Sequence, residues 1–200
     1  DRLMPHAHRI VEANDTALAA LHSPDIDGVV RVGLCLENIE TRMPEILAGF
    51  SRAHPSVTVN INAGDAQDLA AMLTSGTLDI AILTVGGGVV HLENDRLLHE
   101  QPLVWAAHKS SQRITERPLQ LAVAPIGCPW RDAALDALKR AGIDYRIAYL
   151  SNVSESQLGA VRADLAVAAL PASRVINSTQ PICANDDLPN LPYTRMVLRT

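Results

Sequence analysis

The residues with chemistry to offer stand in short groups where an apolar stretch ends or an amphipathic one begins. Glu37, Asn38 and Ile39 follow the apolar run that closes at Cys35-Leu36. Ala66 and Gln67 open a helical pattern, Thr84 follows Ile80-Ala81-Ile82-Leu83, Cys128-Pro129-Trp130-Arg131 opens another helix, and Ser151, Asn152 and Ser154 precede a third. A helix start offers unpaired N–H groups and the positive end of the dipole, which together favour an anion. Amides and hydroxyls there can hydrogen-bond a small molecule, so Asn38, Gln67, Thr84, Ser151 and Ser154 form a reasonable ligand cradle. Each also suits helix capping or loop solvation. Glu37 pulls the other way: at a cleft rim it repels acidic ligands and favours an amine-bearing or neutral one, although a first-turn acid also suits the dipole.

Catalytic and metal chemistry find less support. Cys35 and Cys128 both lie near strand ends, and a thiol at a helix N-terminus leans toward thiolate, so a redox switch stands beside the plainer reading of buried, inert thiols. The seven histidines are scattered, with no HxxxH pair and no His–Cys cluster, and the three cysteines form no CxxC; we expect no metal and no cofactor. A nucleophile needs a base and an orienting group beside it, and nothing in the order of residues places Ser, His and Asp together. No catalytic residue is assigned, and an enzyme is not expected. Gly86-Gly87-Gly88 does not lead into a helix and lacks the Lys-Ser/Thr of a phosphate loop, so it reads as a flexible connection.

Composition narrows the classes further. At 48% hydrophobic over 200 residues the chain can bury its own core. A net charge of −5 leaves no basic footprint, so these residues by themselves make a poor nucleic-acid binder. At 3% aromatic there is little to stack on bases or sugars. Dispersed thiols fit a reducing, cytoplasmic setting. The first residues lack the apolar core of a signal peptide, and no apolar run approaches the roughly 20 residues that span a bilayer, so no membrane partner is expected.

The elements that must position these groups alternate. Residues 6–22 read as one thin-striped helix ended by Ser23-Pro24-Asp25. Residues 28–36 form a nearly continuous apolar strand, as expected of a parallel strand covered on both faces. Ile39, Met43, Ile46, Leu47 and Phe50 give a helical face stopped by His54-Pro55. Val57, Val59 and Ile61 alternate as a strand, Ala66, Leu69, Ala70 and Leu73 as a helix capped by Gly76, and 80–83 as a third strand. The second half repeats the theme: strands at 103–107 and 121–123, a helix at 130–140, a strand at 145–150, a helix opened by 151–154 with side-chain oxygens placed to cap it, and a strand at 165–170 closed by Pro171. Short strand–helix–strand units require right-handed crossovers and parallel pairing. Two such units make two lobes with a cleft at the carboxyl ends of their strands.

Several segments resemble the effector-binding domain of LysR-type transcriptional regulators. Val30-Arg31-Val32-Gly33 is similar to the family's opening strand. Met43-Pro44-Glu45-Ile46-Leu47-Ala48-Gly49-Phe50 with His54-Pro55-Ser56-Val57 resembles its "LP…L..F…P.V" pattern. Leu73-Thr74-Ser75-Gly76-Thr77-Leu78-Asp79-Ile80-Ala81 resembles "L..G.LDLAI", and Ala160-Val161-Arg162-Ala163-Asp164-Leu165-Ala166-Val167 with Leu170-Pro171 resembles "aVrAGLGv…LP". Leu188-Pro189-Asn190-Leu191-Pro192 is similar to the return segment. Gly127-Cys128-Pro129-Trp130-Arg131 and Tyr145-Arg146-Ile147-Ala148-Tyr149 are most similar to the LrhA/HexA branch. Asp164 and Ala166 replace two family glycines, and Ala66 stands where many members carry an effector-touching Ser or Thr.

The resemblance implies an α/β fold of two Rossmann-like lobes joined by two crossover strands, of the type 2 periplasmic-binding-protein-like kind. It implies a linker-helix end at 1–27, a first lobe at 28–104 and 170–200, a second at 105–169, and a winged helix-turn-helix preceding residue 1 that would make the DNA contacts. It implies a small-molecule effector bound between the lobes. It also implies homodimers or tetramers in which a helix at 40–52, through Thr41, Arg42, Glu45, Ser51 and Arg52, meets the partner's opposite lobe. The rival readings are an exported solute-binding protein of a transporter and a redox-responsive regulator using Cys35 and Cys128.

Overall fold

The computed structural model describes residues 26–35, 43–86, 95–175, 182–185 and 187–200. The expected helix at 6–22 and the groups Glu37, Asn38, Ile39, Thr41 and Arg42 lie outside them. The first half runs β1 (Gly28–Cys35), α1 (Met43–Ala53), β2 (Val57–Gly64), α2 (Ala66–Thr74) and β3 (Ile80–Gly86). The long β4 (Arg96–His108) leads to β5 (Leu119–Val123), α3 (Pro129–Arg140), β6 (Tyr145–Leu150), α4 (Ser154–Arg162), β7 (Ala168–Pro171), α5 (Ala172–Val175), β8 (Ile182–Asn185) and β9 (Tyr193–Arg199).

The crossovers behave as the alternation requires. β1 pairs in parallel with β2 from Gly28↔Val57 to Cys35↔Gly64, and with β3 from Val32↔Ile80 to Leu34↔Ile82. β9 returns antiparallel along β3, from Ala81↔Arg199 to Gly86↔Thr194. The mixed sheet then has the order β2-β1-β3-β9-β4-β7, with β8 also on β4. β5 and β6 form a parallel pair, tied to β7 at Leu121↔Val167.

Each half has its own core. Cys35, Leu69, Leu78, Leu83 and Val197 pack together between α2 and the sheet, with Val32, Leu34 and Met43 on its other side under α1. In the second half Leu119, Leu121, Leu138, Leu158, Val161, Val167 and Leu170 are all essentially inaccessible. Gly33 shows how closely α2 approaches β1: a Cβ there would lie 2.6 Å from Leu78 Cδ1 and 3.0 Å from Leu69 Cδ2.

Three expectations shift. The last strand of the second unit starts at Ala168, three residues late, because α4 closes by backbone bonds through its exit turn: Asp164 N–H donates to Val161 O at 3.0 Å and Leu165 N–H to Ala160 O at 2.9 Å. The α4 start has no side-chain cap: Val153 is the N-cap, and Ser151 Oγ instead accepts the Val153 N–H at 3.1 Å in a local turn. β4 reaches thirteen residues, and β8 and β9 are strands where the sequence reading had only a return segment.

Two motif residues acquire a structural explanation. Asp79 is a bridge between β1 and the turn before β3. Its carboxylate accepts Arg31 N–H at 2.7 Å and takes the guanidinium at two oxygens, 3.2 and 2.7 Å away, while Asp79 N–H donates to Arg31 O at 2.9 Å. Hydrogen bonds from the Arg31 side chain and backbone hold the Asp79 carboxyl down at about 2. Asp164, where the motif it resembles has glycine, has φ of 53°, the left-handed conformation that glycine adopts without steric penalty.

These observations give two expectations. A carboxyl depressed in the fold stabilises it above the unfolded value near 4 and loses that contribution as pH falls toward about 2. Asp79→Asn should therefore melt below wild type at neutral pH, with the gap closing between about pH 4 and 2 in thermal scans; a gap independent of pH would contradict this. Asp164→Gly should leave stability unchanged or raise it by up to about 1 kcal/mol in denaturant titrations.

Candidate functional site

The carboxyl ends of β1, β2 and β3 face those of β5 and the loop after β6 across a cavity of about 320 Å³. From the first half come Cys35, Ala63, Gly64, Asp65, Ala66, Asp68 and Thr84. The facing wall holds Ala124, Pro125, Ile126, Gly127, Cys128, Pro129 and Asn152. This volume is at the lower end of the ~300–1,000 Å³ common for small-ligand pockets. The placement follows from chain direction, since parallel strands that share a crossover sense present all their C-terminal loops on one edge.

Local sequence sets each wall. Asp65 is the N-cap of α2: its side chain accepts the Asp68 N–H at 2.9 Å, satisfying one of the helix's unpaired donors. Ala66, the first helical residue, brings a methyl group where a hydroxyl would donate. Thr84 lies inside β3, 6% exposed, and its N–H points at Cys35 Sγ at 3.4 Å. In the facing wall Pro129 is the first residue of α3, so that helix start lacks one donor outright. Gly127, with φ of 98°, turns the loop between β5 and α3. Its Cβ position would be 3.9 Å from Gln67 Oε1, so Gln67 reaches across at the edge of the cleft.

Of the residues expected to bind, the cavity thus collects Ala66, Thr84, Cys128 and Asn152, together with Cys35. Others are engaged with the protein. Trp130 is 6% exposed, and its indole N–H donates to Thr194 Oγ1 at 2.8 Å, tying α3 to β9. Arg131 is half-buried behind the wall and donates to Ala124 O at 2.8 Å. Ser154 and Gln157 are buried at the foot of α4, where Gln157 Nε2 donates to Ser151 O at 2.8 Å.

The sequence reading passed over Asp65 and Asp68, though Asp-Ala-Gln-Asp ahead of an apolar helical face is a legible capping pattern. It also passed over Ala63, Gly64 and the 124–127 loop, whose sides carry no functional group. Ile126 had no signal at all, yet it is 90% exposed at the cavity mouth.

The cavity lining offers thiols, carboxylates, one hydroxyl, one amide and apolar surface. Among the described residues no cluster of three His, Cys, Asp or Glu side chains could hold a metal, and no helix is long and apolar enough to cross a membrane.

Comparison with known proteins gives the fold a relationship. The LysR substrate binding domain family matches residues 23–194. The HTH-type transcriptional regulator DgdR of Burkholderia cepacia is 30% identical over 199 residues, covering 100% of this chain and 67% of that protein. The regulator PecT of Dickeya dadantii is 26% identical over 198 residues, covering 98% of this chain and 61% of PecT. The chain therefore spans some three fifths to two thirds of the length of these relatives. Among solved structures, the regulatory domain of CcmR from Synechocystis, in complex with 2-PG, superposes with a TM-score of 0.70 at 14% identity, covering 87% of this chain and 88% of CcmR. These matches identify the family and fold without distinguishing a branch within it.

The Trp130–Thr194 bond ties α3 to β9 next to Pro129, which lines the cavity. Thr194→Val keeps the shape of the site and strips the buried indole of its acceptor, which should cost about 1–3 kcal/mol in chemical denaturation. Trp130→Phe in the same background should then cost little more for the lost hydrogen bond; additive losses would mean that the bond is not what Thr194 contributes.

Proposed function

The chain belongs to the LysR substrate-binding-domain family, and from that premise we propose that the interlobe cavity takes a small-molecule effector whose binding resets a dimer and, through it, the DNA-binding part of a longer regulator. The single observation that carries this reading is the cavity itself: its walls come from two separate cores, so one molecule filling it contacts both lobes at once. The strand pairing supports a lobe boundary within β4. Residues 26–101 with β9 would form the first lobe, and 103–185, including β7 and β8, the second. A ligand with different contacts in the open and closed arrangements shifts their populations by that difference and by nothing else. To move the populations from 1:99 to 99:1 requires about 10⁴-fold preference for one arrangement.

Two surfaces support a side-by-side dimer. On α1, Glu45, Ser51 and Arg52 are exposed, and Ile46 is 54% exposed although it belongs to the apolar face of that helix. On β6 every residue is exposed, among them Tyr145, Ile147, Tyr149 and Leu150, on a strand with one neighbour among the described residues. An apolar helix stripe and an apolar edge strand on opposite lobes fit an antiparallel pair in which each α1 covers the partner's β6. A cytoplasmic, non-enzymatic role agrees with a family of transcriptional regulators.

Ligand binding should be visible first as stabilisation. In a thermal-shift screen of metabolites, a hundredfold excess over Kd should raise the melting temperature by about 5–10 °C. The shift should vanish in Ala63→Trp, which places an indole on the cavity wall from an exposed strand position that tolerates aromatics. A panel with no shift, or a shift unchanged by Ala63→Trp, would count against the cavity. For the dimer, Ile46→Glu or Tyr149→Glu should each convert a wild-type dimer to monomer in sedimentation velocity; a monomeric wild type would overturn the arrangement.

A further inference from the structure

We propose that the effector is a small organic cation, a primary amine on a short apolar body, and not a carboxylate; this rests on the cavity being the effector site. Among the described lining residues two carry charge, Asp65 and Asp68, and both are acids. None of the described lining residues is Lys or Arg. The one guanidinium close behind the wall, Arg131, donates to Ala124 O at 2.8 Å and belongs to the packing under α3.

The features that would make these helix starts an anion clamp are offset one by one. At α2, Asp65 has taken the Asp68 N–H, and Ala66 supplies no hydroxyl. A helix end is worth roughly half a positive charge, against two full negative charges from Asp65 and Asp68. At α3 the first residue is Pro129, with no N–H to give, and Asp132 sits in the first turn. At α4 no side chain caps the start, and Glu155 in its first turn is paired with Arg162 and Arg174. The acids that line the cavity itself are therefore the two at the start of α2. A carboxylate ligand beside Asp65 and Asp68 would meet like charge, and because both acids are exposed the repulsion is strongest at low salt. An ammonium group would pair with the same acids.

The rest of the lining describes the ligand's other end. Ala63, Ala66, Ala124, Pro125, Ile126 and Pro129 are apolar, and Ile126 projects into solvent at the mouth with 90% of its surface exposed. A branched aliphatic body would cover it. Thr84 and Asn152 are the neutral polar side chains of the described lining.

The test uses three probes of one carbon skeleton: 3-methylbutylamine, 3-methylbutanoate and 3-methylbutanol, titrated into the chain by heteronuclear NMR at neutral pH and low salt. The amine should bind at least about tenfold tighter than the carboxylate, with shifts at 64–68 and 124–128. Asp65→Asn keeps a good N-cap; combined with Asp68→Asn it should bring the amine to within about threefold of the alcohol while the fold, read from the same spectra, stays intact. Equal or tighter binding of the carboxylate overturns the charge assignment but leaves the cavity as effector site, provided Ala63→Trp abolishes that binding. Amine binding that survives Ala63→Trp overturns the cavity reading along with it. Absence of amine binding, or amine affinity unchanged by the two Asp→Asn substitutions, overturns the proposal.

Discussion

One strand holds both walls of the cavity in place. β4 runs thirteen residues without interruption, and its two ends serve different neighbours. From Arg96 to Pro102 it pairs with β9, which lies on β3; from Leu103 to His108 it pairs with β7 and β8. The change of partner falls at Pro102-Leu103, where Leu103 N–H donates to Pro192 O on the returning strand at 3.1 Å. Proline has no N–H to give a ladder, so the ladder is weakest at the point where β4 changes partner. β4 and the segment that enters β9 therefore run side by side at this point.

Named contacts join α3 to the sheet of the first half. Trp130 to Thr194 is a single buried hydrogen bond between α3 and β9, and Pro129 packs where a Cβ on Gly86 would lie 3.2 Å from its own Cβ. Two ion pairs fasten β9 within the first lobe. Arg199 holds Asp95 through two nitrogens at 2.6 and 2.8 Å, and Arg195 pairs with Glu100. Burial makes the first of these the stronger anchor, since the Asp95 side chain is 1% exposed. β9 is thus tied to the first half of β4 and the residue before it, and the step into β9 runs through residues 187–192. Trp105, from the far half of β4, reaches that step by donating its indole N–H to Pro189 O at 2.8 Å.

Most of this was legible in the residues because it follows from periodicity. The apolar run of β1, the alternation of Val57, Val59 and Ile61, and the spacing of Leu69, Ala70 and Leu73 leave little freedom in an α/β chain, and Gly76, with φ of 71°, closes α2 as its position suggested. What escaped was of two kinds. Strand pairing that needs distant partners left little local trace: β9 alternates only weakly, and β8 is four residues long. The cavity walls escaped because ligand surfaces are made partly of residues with no functional group. Ala63, Gly64, Ala124 and Gly127 matter by what they leave open, and a side-chain inventory passes over them. Conversely, Trp130 and Arg131 have the chemistry of ligand contacts but spend it inside the fold. The same holds for Asp79, whose place in a family-like motif reflects the clasp with Arg31 on β1.

The central claim is that one small molecule touches both lobes in a cavity that neither could form alone. Hydrogen exchange followed by mass spectrometry, on the chain with and without a ligand that raises its melting temperature, tests this directly. The account predicts slower exchange in two separated segments at once, 64–68 at the start of α2 and 124–131 between β5 and α3, with little change along β6. Protection confined to one of those segments, or appearing only at β6 or α1, would contradict it.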